Sequence, residues 1–124
     1  MNPEKAREWY DIANQDLKVA IELYKKEYYT HAAYHLHQSA EKFLKSILVF
    51  HNRPVPKTHD LELLVKRCIE TDKSLEELKD LEIGRITWFH LLRYPPVESV
   101  QKKEIEEAIK LVELLKEIVG EKIG

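Results

Sequence analysis

Apolar residues recur at spacings of three and four through nearly the whole chain, and no stretch alternates apolar with polar residues. That is the period of an α-helix hiding one face, and without alternation there is no half-buried strand to build a sheet. An all-α fold follows. Trp9, Ile12, Ala13, Leu17, Ala20, Ile21 and Tyr24 predict a first helix from about Pro3 to Glu27. Asn2 is its expected N-cap and Pro3 its first residue, where a missing N–H costs nothing. Tyr28-Tyr29-Thr30 reads as a turn, with Thr30 capping a second helix from about His31 to Phe50. Ala32, Ala33, Leu36, Ala40, Phe43, Leu44, Ile47 and Leu48 form its broad apolar stripe, and Pro54 and Pro56 forbid continuation. Thr58 is expected to cap a short third helix carrying Leu61, Leu64, Val65, Cys68 and Ile69. Ser74 with Glu77 predicts a capping box for a fourth, which runs to Pro95-Pro96. A fifth starts near Ser99, and Gly120 is expected at its left-handed C′ position.

The predicted architecture is an antiparallel up-and-down bundle of four to five helices in a single domain, residues 1–124. Hydrophobic residues make up 44% of the 124, enough for a core, and 3 Gly and 5 Pro argue against a disordered or turn-rich chain. A net charge of -2 and a pI near 6.3 exclude the strongly basic surface of a dedicated duplex binder. The single Cys68 has no internal disulfide partner, which suits a reducing compartment. No apolar run approaches the roughly 18 residues of a membrane span, and the polar start has no signal-peptide core. The expectation is a cytoplasmic protein without membrane contact. Glu and Lys dominate the charges, a bias seen in thermophile proteins.

Four sets of residues carry chemistry. His31 and His35 lie four apart on the second helix, a spacing that chelates zinc, but no further ligands accompany them, so no metal site is expected. His37, Gln38 and Glu41 flank the apolar stripe, with Glu41 four residues from both His37 and Lys45. This reads either as helix-surface pairing, worth about 0.3–0.5 kcal/mol per pair, or as the polar rim of a groove or subunit interface. Lys42, Lys45, Arg53 and Lys57 form a stretch without acids, with His51 and His59 at the same end. It is a candidate phosphate or nucleotide site, or a solubilising loop. Finally, Arg85 and His90 sit five apart and His90 and Arg93 three apart. Arg is the preferred phosphate ligand and His exchanges protons near neutrality. No nucleophile elbow, P-loop or dinucleotide fingerprint is present.

The segment Gln38-Ser39-Ala40-Glu41-Lys42-Phe43-Leu44-Lys45 resembles the Gln-x-x-Glu-Lys-x-x-Lys stretch of HEPN domains, the "higher eukaryotes and prokaryotes nucleotide-binding" family. Lys57-Thr58-His59-Asp60-Leu61 and Leu92-Arg93-Tyr94-Pro95 resemble the same family, in the same order, and Trp9, Ala13, Asp16, Leu17 and Ala20 fit its first helix. The resemblance implies a helical bundle that forms a homodimer. It also implies a minimal nucleotidyltransferase as partner in a toxin–antitoxin pair. Many members are metal-independent RNases whose Arg-x4–6-His motif meets its copy at the dimer interface. Arg85 and His90 match that motif, with Ile86 standing where a polar residue is usual and Pro96 where an Asp often follows.

Two readings follow. In the first the protein is a dimeric RNase toxin needing no cofactor. His90 transfers protons, while Arg85, with Arg93, stabilises charge on the phosphate. In the second it is a non-catalytic nucleotide-binding or adaptor module that uses the Lys42–Lys57 stretch or a bundle face.

Overall fold

A computed structural model describes residues 1–95 and 99–124, without the side chain of Arg93. Of the Pro95-Pro96 pair expected to stop the fourth helix, Pro96 lies outside the described residues, among which there is no strand. The chain forms α1 (Pro3–Lys25), α2 (Tyr29–Phe50), α3 (Leu61–Thr71), two 3₁₀ helices (Lys73–Leu81 and Ile83–Arg93) and α4 (Lys102–Ile123).

The α1–α2 hairpin is antiparallel, as the 2.9 Å bond from the Asn2 amide to the Phe50 carbonyl records. On α1 the inward residues are Ala6, Tyr10, Ala13, Leu17 and Ala20, alternating steps of four and three. Trp9 is only half-buried and Ile12 is 48% exposed, so the buried stripe is rotated from the expected one. Small residues at 6, 13, 20, 32, 33 and 40 let the two backbones approach closely. The Ser39 hydroxyl donates across the seam to the Ala13 carbonyl at 2.7 Å, and Tyr10 meets Phe43 edge-on. α2 is the central element, packed against α1, α3, α4 and the second 3₁₀ helix.

Several boundaries differ from expectation. The Tyr28-Thr30 turn is absent: α2 begins at Tyr29 because Glu27 takes a left-handed conformation, φ 66. Its amide bonds Tyr24 and that of Tyr28 bonds Leu23, the paired bonds of a Schellman stop. Asn52 repeats the arrangement at the end of α2. Asp60, not Thr58, caps α3, accepting from the amides of Glu62 and Leu63. Asp72 replaces the Ser74–Glu77 capping box. Gly120 lies inside α4, where Tyr10 packs against it, and the helix continues to Ile123.

The largest departure is the expected fourth α-helix. It is two 3₁₀ helices divided at Glu82, which adopts a left-handed φ of 51. The reason is readable in the spacing. Ile83, Ile86, Phe89 and Leu92 are all buried and are all three residues apart. A helix with three residues per turn stacks them in one row, whereas an α-helix would wind that row off the core.

Candidate functional site

His37, His59 and His90 come together from three separate elements. His37 projects from α2, His59 from the loop before α3, and His90 from the second 3₁₀ helix. The ring centroids of His59 and His90 lie 5.2 Å apart with planes inclined by 22°, and His37 is 5.2 Å from His90. Each imidazole is fixed by one hydrogen bond. His37 Nε2 bonds the His59 carbonyl at 2.9 Å, His59 Nδ1 bonds Glu41 Oε1 at 2.9 Å, and His90 Nδ1 bonds the Thr87 carbonyl at 2.8 Å. Because carbonyls and carboxylates only accept, these bonds place the proton on Nε2 of His37 and on Nδ1 of His59 and His90.

Behind the rings is a buried ion pair. Lys45 Nζ donates to Glu41 Oε2 at 2.7 Å, and both residues are buried. Burial pushes the Glu41 carboxyl up, but the hydrogen bonds from Lys45 and His59 outweigh it and hold the group below the usual carboxylate range. His37 is fully buried, and burial pushes it down to about 4 despite its bond to the His59 carbonyl and the nearby Glu41 charge. It is neutral at physiological pH. Depth thus decreases outward, from His37 through half-buried His90 to His59, whose side chain is 47% exposed. Among the described residues, no group of three or more His, Cys, Asp or Glu is arranged to hold a metal ion.

This arrangement corrects part of the expected site. His37 and Glu41 do not form an outer rim: both are buried, and only Gln38 is half-exposed beside them. The four basic residues do not share one setting. Lys45 is neutralised by Glu41, and Lys42 by Asp16 at 2.7 Å, where His35 also bonds. Arg53 lies apart beside Arg67 and Glu70 at a cavity of about 350 Å³, and Lys57 is exposed. Helix geometry predicts the failure, since only part of a 16-residue span crossing a helix end shares one face.

Arg85 and His90 occupy different rows of the 3₁₀ helix. Successive residues turn by about 120°, so Arg85 shares its row with Trp88 and Leu91, and His90 shares its row with Gly84 and Thr87. The Arg85 side chain is 62% exposed, and its guanidinium reaches Glu107 of α4 at 3.4 Å and Glu82 at 3.8 Å. Within one protomer the pair does not converge. Arg93 ends the same helix, with its side chain outside the described residues. A separate groove of about 660 Å³, floored by Val65, Ile69, Leu78 and Ile83, opens beside Arg85 and does not include the histidines.

His59 was not singled out by residue spacing, because its partners lie 18 and more positions away in the chain. The signal available was its place inside Lys57-Thr58-His59-Asp60-Leu61, one of the motifs behind the family resemblance.

The chain matches the family model described as HEPN domain over residues 6–123. A Methanocaldococcus jannaschii protein named "Putative toxin MJ1304" is 27% identical over an alignment of 143 residues, which covers 99% of this chain and 93% of the relative. No solved structure matches the chain.

Proposed function

The chain belongs to the HEPN domain family, and from that premise we propose that it is a toxin-type HEPN protein that cleaves RNA without a metal or other cofactor. It acts in the cytoplasm as a homodimer, and a minimal nucleotidyltransferase is its partner in a toxin–antitoxin pair. The toxin reading draws on the M. jannaschii relative's name. No helix among the described residues is long and apolar enough to cross a membrane, which agrees with a partner and substrate met in solution.

The observation that carries the reading is the state of His90. Its Nδ1 is tied to the Thr87 carbonyl, leaving Nε2 as the atom for proton exchange at a half-exposed position. In the reaction the ribose 2′-oxygen attacks the adjacent phosphorus and the bond to the 5′-oxygen breaks. The products are a 2′,3′-cyclic phosphate and a 5′-hydroxyl, so atoms balance with no co-reactant. His90 is one proton-transfer group. Arg85 supplies positive charge to the phosphorane oxygens, as a guanidinium does best. Its row on the 3₁₀ helix also carries Leu91, 59% exposed. Pairing of this helix with itself about a two-fold axis would cover Leu91 and place Arg85, in the same row, at the junction of the two copies.

A non-catalytic adaptor is the second reading. It is favoured by the divergence of Arg85 and His90 within a protomer and by the carboxylates already bound to Arg85. Incubating purified protein with RNA in excess chelator separates the two. The RNase reading expects cleavage with cyclic-phosphate ends, lowered about 10²–10⁴-fold by His90→Ala. RNA left intact by the wild-type protein, with and without its partner, selects the adaptor.

A further inference from the structure

We propose that His59 is a second catalytic histidine of this site, the general base that takes the proton from the attacking 2′-hydroxyl, with Glu41 as the positioning residue behind it. The inference rests on the RNA-cleavage reading and completes it, because transesterification moves two protons and His90 accounts for one.

Three observations carry it. The first is the carboxylate–imidazole contact: Glu41 Oε1 accepts from His59 Nδ1 at 2.9 Å, which leaves Nε2 as the basic lone pair. A carboxylate at that nitrogen fixes the tautomer and stabilises the imidazolium formed when Nε2 accepts a proton. The second is that this carboxylate cannot drift, since Glu41 is buried and its other oxygen is held by Lys45 at 2.7 Å. Such a buried pair is a costly way to stabilise a surface loop. It is well suited to holding one ring still. The third is proximity: the His59 ring lies beside that of His90, and among the described residues neither Nε2 has a hydrogen-bond partner.

The groups facing His59 are Glu41 and His37 on α2 and His90 on the second 3₁₀ helix, with Lys45 on the far side of Glu41. His37 positions His59 from behind by bonding its carbonyl. In the step itself, His59 Nε2 receives the 2′-hydroxyl proton as the O2′–P bond forms. The P–O5′ bond breaks, and the departing oxygen takes a proton from the His90 imidazolium. One ring ends protonated and the other neutral, and exchange with water restores both. Nothing beyond RNA and water is consumed.

The test uses the full-length protein and a short RNA with one cleavage site. His59→Asn keeps a donor near the Nδ1 position for Glu41 and deletes Nε2, so it separates chemistry from structure. Thermal unfolding and helicity are measured alongside. The expected result is a native-like melting curve with kcat lowered about 10²–10⁴-fold and loss of the acid-side limb of the pH–rate profile. A substrate whose 5′-leaving oxygen is replaced by sulfur needs no acid. It should relieve the defect of His90→Ala and leave that of His59→Asn. Added imidazole should partly restore His59→Ala, whose shortened side chain leaves room for it. Wild-type cleavage matched by His59→Asn overturns the inference and leaves the RNase reading standing. Relief of His59→Asn by the sulfur substrate overturns the assignment of His59 as base. Wild-type protein that cleaves nothing overturns both together.

Discussion

At His37 a histidine has been removed from water with only one of its nitrogens engaged. Nε2 bonds the His59 carbonyl, whereas Nδ1 is buried with no hydrogen-bond partner among the described residues, 3.9 Å from Glu41. Burial lowers its pKa to about 4; the carbonyl bond and the Glu41 charge oppose that, and the neighbouring His90 and His59 add to it. An unfolded chain protonates the same side chain near 6.5. Between about pH 6.5 and 4 the unfolded state therefore binds a proton that the folded state does not, and stability falls as pH falls. The full difference is about 3 kcal/mol, reached below pH 4. Glu41 acts in the same direction: its lowered folded pKa gives stability above the ordinary carboxylate range that is lost on further acidification. Urea unfolding from pH 7 to 4 should show this acid loss. His37→Gln keeps a donor for the His59 carbonyl and cannot titrate, so its stability curve should be flatter across that interval. Equal slopes for both proteins would mean that His37 is not the group responsible.

At the scale of elements, the α-helices are legible because a one-sided apolar face repeats at the helical period, and α1 and α2 lie within two residues of their expected ends. Their junction is not legible, because the residue that turns the chain is Glu27, with φ 66, where glycine would have advertised the stop. That leaves strain to relieve. Glu27→Gly should raise stability by about 0.5–1 kcal/mol, the left-handed cost removed less the entropy glycine loses on folding. Thermal unfolding checks it, and a lowered melting temperature would show that the Glu27 side chain matters more than its backbone. The 3₁₀ helices are hidden in the sequence for a different reason. Steps of three are common to both helix types over one turn, and only the unbroken series from Ile83 to Leu92 distinguishes them. In neither helix type do Arg85 and His90 share a face, since five residues turn them about 140° apart in an α-helix and about 120° apart in a 3₁₀ helix. The candidate site is half visible: the i, i+4 relation of Glu41 to His37 and Lys45 is a helix property, and Glu41 bonds Lys45 and lies 3.9 Å from the neutral His37 ring. His59 reaches Glu41 only through the tertiary fold, which no local spacing encodes.

At the scale of the whole molecule, the divergence of Arg85 and His90 makes assembly part of the proposed RNase chemistry. A two-fold dimer should appear in light scattering as twice the 14.7 kDa chain mass. The sharper consequence concerns which protomer supplies which residue. If each active site takes Arg85 from one copy and His90 from the other, Arg85→Ala and His90→Ala homodimers both lack a complete site. A heterodimer of the two variants differs: one of its sites loses both residues, and the other keeps both. Co-expressed in equal amounts, the variants pair at random, half the dimers are mixed, and about a quarter of wild-type activity should return. RNA cleavage by the mixture, compared with each variant alone, reads this directly. If both residues act within one protomer, every site in the mixture lacks one of them, and activity stays at the level of the single variants.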